Sequence, residues 1–272
     1  MIRLAVRCRA EQAEAVLAEL LALVPGGLEE ARDGDLVEYA LYGAPGELPE
    51  IGAIEAAAGG SLVEVVSAPV PGGWADRWRD FHRPVLVGGR VWIRPPWADP
   101  PPAGAADVVV DPGQAFGTGA HPTTRMCCEL LVALAAEGGG GALHDLGTGS
   151  GVLAIAGSRL GFAPVRAYDH EPAALAAAAA NAAANGVAIE LERVNLRERV
   201  PPLAGTVVAN LTAPLLGAVA SRLAAPPRAF ICSGLLAAEA EAVAAALAER
   251  GLGERQRLTD GEWAALRLEA RA

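Results

Sequence analysis

The sequence predicts an α/β protein: a largely parallel sheet with helices on both faces, preceded by a small α+β domain. Two observations carry this. From residue 106 onward, short apolar runs alternate with helical runs as far as residue 268, and such alternation buries a parallel sheet beneath helices. Before that, residues 1–66 hold smaller elements in the order β-α-β-β-α-β, a ferredoxin-like pattern.

In the first part, "IRLAVRC" is a strand and "AEQAEAVLAELLALV" has helical periodicity that stops at Pro25-Gly26-Gly27. "GLEEAR" and "DLVEYALYG" flank Asp33-Gly34, a hairpin signal. "LPEIGAIEAAAGG" is a short helix and "SLVEVVSAPV" a strand. Residues 67–104 form a connector rich in tryptophan: Trp74, Trp78, Trp92 and Trp97. Trp74 and Trp78 share a helix face, and "VLVGGRVWI" is a hairpin turning at Gly88-Gly89. The indoles are expected to cement one domain to the other, with a substrate-facing aromatic wall as the alternative.

In residues 105–272, strands are expected at "ADVVV", "ALHDL", "APVRAYD", "AIELERV", "TVVAN", "RAFICS" and "EWAALRL". Helices are expected at "TTRMCCELLVALAAE", "GVLAIAGSRLG", "PAALAAAAANAAANG", "APLLGAVASRLAA" and "LLAAEAEAVAAALAERG". "EGGGG" reads as a flexible link. The last strands meet at Asp260-Gly261 with no helix between them, so they form an antiparallel hairpin.

Composition removes several functions. No apolar run among the 272 residues reaches the roughly 18 needed for a membrane span. The opening segment turns acidic before a signal-peptide core develops, so a soluble cytoplasmic protein is expected. Of the four cysteines, Cys127 and Cys128 are adjacent and none forms C-x-x-C, which suits neither a disulfide framework nor a metal site. The net charge of −10 opposes a grip on bare nucleic acid and suits a basic partner. Every basic residue is arginine. A Walker loop and a Schiff-base lysine are therefore excluded.

The stretch "ALHDLGTGSG" is a strand running into a tight turn and a helix. In a sheet of this kind ligands bind at such carboxyl ends, where strand order reverses. A dinucleotide fingerprint starting from Gly147 and Gly149 needs a third glycine at 152. That residue is Val152, and the third glycine is Gly151. The pattern is acid-x-G-x-G-x-G, with Asp145, Gly147, Gly149 and Gly151. It resembles the loop with which Rossmann-like methyltransferases hold S-adenosyl-L-methionine (SAM). Side chains at Gly147 or Gly149 would fill the space the cofactor needs, and Asp145 can help hold its ammonium end. Asp169 ends the next strand, placed to accept both ribose hydroxyls. Its competing role is to cap the helix that begins at Pro172. His170 and Glu171 are expected at the rim.

The most specific stretch is "DPGQAFGTGAHPTTR", residues 111–125. Phe116 stands between glycines in a loop able to fold over a ligand, and Pro122-Thr123-Thr124 starts a helix. The stretch closely resembles the hallmark of the PrmA family, the methyltransferases of large-subunit ribosomal protein eleven. The resemblance continues in "WADRWRDFHRPVLVGGRVWIRPPW", "DLGTGSGVLAIAGSRLG", "YDHEPAALAAAAANAAANGV", "VVANLTAPL", "SGLL" and "DGEWAAL", most of residues 74–268. It implies SAM-dependent methylation of lysine side-chain amines and the N-terminal amine of a basic ribosomal protein. It also implies a first domain that recognises the substrate and a linker helix that lets it swing. By matched motif, Thr124, Gly147, Asp169 and Asn210 would contact the cofactor.

Two positions depart from the family: His144 and His170 stand where apolar residues are common. His144 reads as a packed core residue. Asn210-Leu211-Thr212 differs from the N-P-P-Y of enzymes that methylate planar amides and bases, which suits an aliphatic amine. Asn210 could position that amine, and His121 is the best candidate for a general base. The alternatives are a SAM enzyme acting on another protein or a small molecule, an NAD-linked oxidoreductase, and a non-catalytic scaffold.

Overall fold

The computed structural model describes residues 2–13, 16–17, 20, 29–43, 52, 54, 62–69, 83–111, 119, 121–203 and 205–271. The chain divides into two compact units, Met1–Asp80 and Phe81–Ala272.

In the first unit, β1 (Ile2–Arg9), β2 (Glu29–Asp33), β3 (Leu36–Gly43) and β4 (Leu62–Pro69) form an antiparallel sheet in the order β2-β3-β1-β4. Side chains alternate between its faces. Leu4, Val6 and Cys8 of β1 and Val37, Tyr39 and Leu41 of β3 are buried together with Val16, Leu20 and Ile54. Arg7 falls on the opposite face, between its cross-strand neighbours Glu38 (2.6 Å) and Glu64 (2.8 Å). Helical backbone is present at Ala13, Val16, Leu17 and Leu20, and at Gly52 and Ile54.

The second unit opens with a three-stranded sheet: β5 (Val85–Val87), β6 (Val91–Arg94) and β7 (Ala106–Val109). β5 and β6 turn at Gly88-Gly89, and β7 lies parallel to β6. Arg94 forks onto both carboxylate oxygens of Asp107 at 2.8 Å. The Trp92 indole donates to the Asp99 carbonyl (3.2 Å), so it fastens its own segment. Trp74 and Trp78 lie outside the described residues.

The main sheet has seven strands: β8 (Gly141–Leu146), β9 (Phe162–Asp169), β10 (Glu190–Arg193), β11 (Thr206–Asn210), β12 (Ala229–Leu236), β13 (Leu252–Asp260) and β14 (Trp263–Ala270). The order is β10-β9-β8-β11-β12-β14-β13. The first five are parallel, while β14 runs antiparallel between β12 and β13. The helices are α1 (Pro122–Ala136), α2 (Val152–Arg159), α3 (Pro172–Ala184), α4 (Ala213–Arg222) and α5 (Ala240–Ala248). Proline opens α1 and α3, where its missing N–H costs nothing.

Alternation along β11 shows the layering. Val208 faces a core shared with α1 and α2, while Val207 and Ala209 face one shared with α4 and α5. Helices therefore cover both faces of a sheet whose inner strands are mostly apolar, with His144 and Asp145 of β8 as buried exceptions. Buried Arg267 on β14 forks onto Glu137, the residue that ends α1, and also pairs with Glu269. β9 lies on one side of β8 and β11 on the other, so a crevice opens beyond the carboxyl ends of β8 and β11.

Two expectations change. The last helix does not begin at Leu235. β12 continues through Leu235 and Leu236, which pair with Ala264 and Trp263, and a 3-10 turn at Ala237–Glu239 precedes α5. Burial of Leu235 against the second core outweighs its helical propensity. "EGGGG" is not a loose link: the Gly139 amide donates to the Leu134 carbonyl (2.8 Å), closing the end of α1 before β8 starts at Gly141.

Candidate functional site

The glycine turn is pinned by the neighbouring strand. The amides of Gly147 and Thr148 both donate to the Tyr168 carbonyl on β9, at 2.8 and 2.9 Å. The Gly151 amide donates to the Thr148 carbonyl (2.9 Å), and α2 starts at Val152. Gly147 has φ +72°, which side chains rarely adopt, and a Cβ there would lie 2.4 Å from Leu211 Cδ2. Val152, where a dinucleotide fold needs its third glycine, is instead the first residue of α2 and buried.

Asp145 lies beneath the turn with 1% of its surface exposed. Its Oδ2 accepts from Thr148 Oγ1 (2.7 Å) and from the Ala154 amide (3.1 Å). It thereby caps α2, whose N-cap Gly151 has no side chain to do so. Its other oxygen, Oδ1, is buried with no hydrogen-bond partner in the protein. Burial raises its pKa to about 7 against the opposing hydrogen bonds from Thr148 and Ala154, with the nearby Asp169 charge adding to the rise.

Asp169 ends β9 as the spacing required. Its Oδ2 accepts from the Gly149 amide (3.0 Å), and its Oδ1 from the Glu171 amide (3.1 Å). Each carboxylate oxygen has a second lone pair, so both can still accept from a diol. The competing role is also present, since Glu171 is the N-cap residue of α3. His170 and Glu171 are exposed at the rim, as expected.

Asn210 ends β11. Its Nδ2 donates to Oγ1 of the buried Thr124 on α1 (3.2 Å), which joins two of the four residues that the resemblance assigns to the cofactor. The next residue is held from behind: the Leu211 amide donates to the Ser233 carbonyl (2.9 Å). A Cβ on Gly234 would lie 2.6 Å from the Leu211 carbonyl oxygen. The position of Leu211 against Gly147 is therefore set by backbone.

His121 caps α1. Its Nδ1 accepts from the Thr123 amide (3.3 Å) and lies 2.7 Å from Thr123 Oγ1. The neutral ring then carries its proton on Nε2, and the lone pair a general base would use is committed to the cap. Partial burial, then the Arg125 charge, lower its pKa. The ring meets Trp263 edge-on, with centroids 5.1 Å apart. Arg125 pairs with Asp260 in the final hairpin (2.5 Å). His144 is a packed residue: it stacks on Tyr168 with centroids 5.9 Å apart, and Nδ1 lies 3.1 Å from the Tyr168 hydroxyl. Phe116 lies outside the described residues.

Sequence reasoning missed Asn181, within α3, and Asn185, which caps its C-terminus; both are buried. Their signal was available: two asparagines four apart, one inside and one just after a helix made almost wholly of alanine.

An acid-anchored glycine turn, an accepting carboxylate on the next strand and an orphaned buried oxygen suit a ligand with hydroxyls, a cationic end and no pyrophosphate. Fold and site define the class of Rossmann-like methyltransferases that use SAM. The model of the family "Ribosomal protein L11 methyltransferase (PrmA)" matches residues 65–271. The chain belongs to that family. It is 41% identical over 206 residues to a ribosomal protein L11 methyltransferase of Pelotomaculum thermopropionicum, covering 73% of this chain and 66% of that protein. Identity to the Alkaliphilus oremlandii protein of the same name is 34% over 254 residues, covering 90% and 78%. The solved ribosomal protein L11 methylase of Lactobacillus delbrueckii subsp. bulgaricus is 30% identical with a TM-score of 0.61, covering 70% of this chain and all of that one. Matches to the first curated relatives span between 47% and 66% of their length.

Proposed function

We propose that this chain transfers methyl groups from SAM to amine nitrogens of ribosomal protein L11, at lysine side chains and the N-terminal amine. The observation that carries this is the Asn210–Thr124 pair beside the glycine turn. Asn210 spends Nδ2 on Thr124, which leaves Oδ1 to accept from an incoming amine and aim its lone pair. SAM supplies a methyl group already activated on a sulfonium. The protein's work is therefore alignment and exclusion of water. Gly147, Gly149, Asp145 and Asp169 would hold the cofactor. A lysine amine, pKa about 10.4 in water, must reach the crevice neutral. Desolvation against Leu211 favours that form, and the proton leaves to water because His121 is committed to its cap.

In the same proposal, residues 1–66 are a ferredoxin-like domain that recognises the substrate, 67–104 the connector, and 105–272 the catalytic domain. The net charge of −10 attracts a free, basic ribosomal protein and repels RNA. The reaction then belongs in the cytoplasm; among the described residues no helix is long and apolar enough to cross a membrane. Incubation with isotopically labelled SAM and purified L11, followed by mass spectrometry, tests the assignment. Label on lysine and N-terminal amines is expected. Label that stays off L11 but enters another protein or a small molecule would move the acceptor elsewhere.

A further inference from the structure

The two buried asparagines at the C-terminal end of α3, Asn181 within it and its C-cap Asn185, do different things. Asn185 acts as a strand partner: its Oδ1 accepts from the Val109 amide (2.9 Å) and its Nδ2 donates to the Val109 carbonyl (2.6 Å). Val109 is the last residue of β7, and the same Nδ2 also donates to the Asn181 carbonyl (2.8 Å). Asn181 instead reaches two separate segments. Its Nδ2 donates to the Ser150 carbonyl inside the glycine turn (2.9 Å), and its Oδ1 accepts from the amide of Asp111 (3.1 Å). Asp111 is where the chain leaves β7 for the stretch that leads to His121 and Thr124.

A buried carboxamide is costly unless all its groups are paired, and an alanine would suit α3 better. The two segments it joins are the turn that would hold the cofactor and the root of the stretch that precedes α1. The turn is gripped on both sides. The Gly149 amide goes to Asp169, just before α3, and the next residue's carbonyl goes to Asn181, within α3. Ala178, one turn earlier on the helix, packs where Gly151 lacks a side chain: a Cβ at Gly151 would lie 3.1 Å from that of Ala178.

We propose that Asn181 is a positioning residue for the cofactor site, fixing residues 149–151 relative to Asp111. Asn185 is its structural counterpart, holding β7 without touching the turn. The inference rests on the SAM reading of the crevice.

The test compares full-length Asn181→Ala, Asn181→Asp and Asn185→Ala for adenosylhomocysteine binding by calorimetry, melting temperature and methyl-transfer kinetics. Asn181→Asp keeps the acceptor for Asp111 and loses the donor to Ser150, so it carries the test if the alanine variant fails to fold. Asn181→Asp is expected to weaken binding by about tenfold, the factor set by one lost hydrogen bond of ordinary strength, and Asn181→Ala, which loses both bonds, by at least as much. The KM for SAM should rise in parallel while kcat at saturating SAM is retained. Asn185→Ala is expected to melt lower yet bind as wild type does. Wild-type affinity in the Asn181 variants, or equal weakening in Asn185→Ala, overturns the inference while leaving the cofactor reading intact. A wild-type protein that binds no adenosylhomocysteine overturns both.

Discussion

Leu211 occupies the space a side chain at Gly147 would need: its Cδ2 would lie 2.4 Å from a Cβ there. The glycine turn at the end of β8 and the Asn210-Leu211 corner at the end of β11 are thus fitted to each other across the crevice. Gly147→Ala meets both this contact and an unfavourable φ. It is expected to lower stability by about 1–3 kcal/mol and to weaken adenosylhomocysteine binding. Adding Leu211→Ala relieves the contact but not the backbone strain. The double variant should therefore recover part of the stability in denaturant titrations, and a cycle showing strict additivity would contradict the fit.

Asp169 accepts from the Gly149 and Glu171 amides with one lone pair on each oxygen, and the proposed role for the others is to accept from the ribose. Asp169→Ala is expected to weaken adenosylhomocysteine binding by about 1–3 kcal/mol, the cost of losing hydrogen bonds to a charged group. Calorimetry showing unchanged affinity would remove Asp169 from the site.

Asp145 predicts a pH dependence with a definite sign. Its folded pKa is raised to about 7 from 3.8, so between these values the folded protein binds the extra proton. Stability from this group therefore falls as pH rises from about 4 to about 7 and is level above that. Asp145→Asn stays neutral and should flatten that part of the curve. Thermal melts from pH 4 to 8 that show the same slope in both proteins would contradict the assignment.

Asn210→Ala should lower kcat by about ten- to a hundredfold, the effect of one lost amine contact. Steady-state kinetics with L11 as acceptor will read it, and an unchanged kcat would move the positioning role to another group. His121→Ala should instead destabilise the protein by about 1 kcal/mol through loss of the cap. The alkaline rise of its pH–rate profile should match wild type, whereas loss of that rise would restore His121 as the base.

Much of the candidate site's layout was legible in the sequence, for identifiable reasons. Asp145, Gly147, Gly149 and Asp169 stand out as candidates because their signals are local: an acid and alternating glycines at one strand end, and an acid at the next. The Asn210–Thr124 contact was not, since 86 positions separate the pair and only the sheet order brings them together. The Leu235-Leu236 extension of β12 was read as helix because helical periodicity continues straight after it. Asn181 and Asn185 were overlooked because their partners Asp111 and Val109 lie 70 and 76 residues away in sequence, respectively.

The most direct measurement is a crystal structure of the protein soaked with adenosylhomocysteine. The account predicts the nucleoside in the crevice between β8 and β11, its ribose hydroxyls on Asp169, its amino acid end over the Gly147 turn and its sulfur facing Asn210. A ligand bound elsewhere, or in that crevice without engaging Asp169 and the turn, would contradict it.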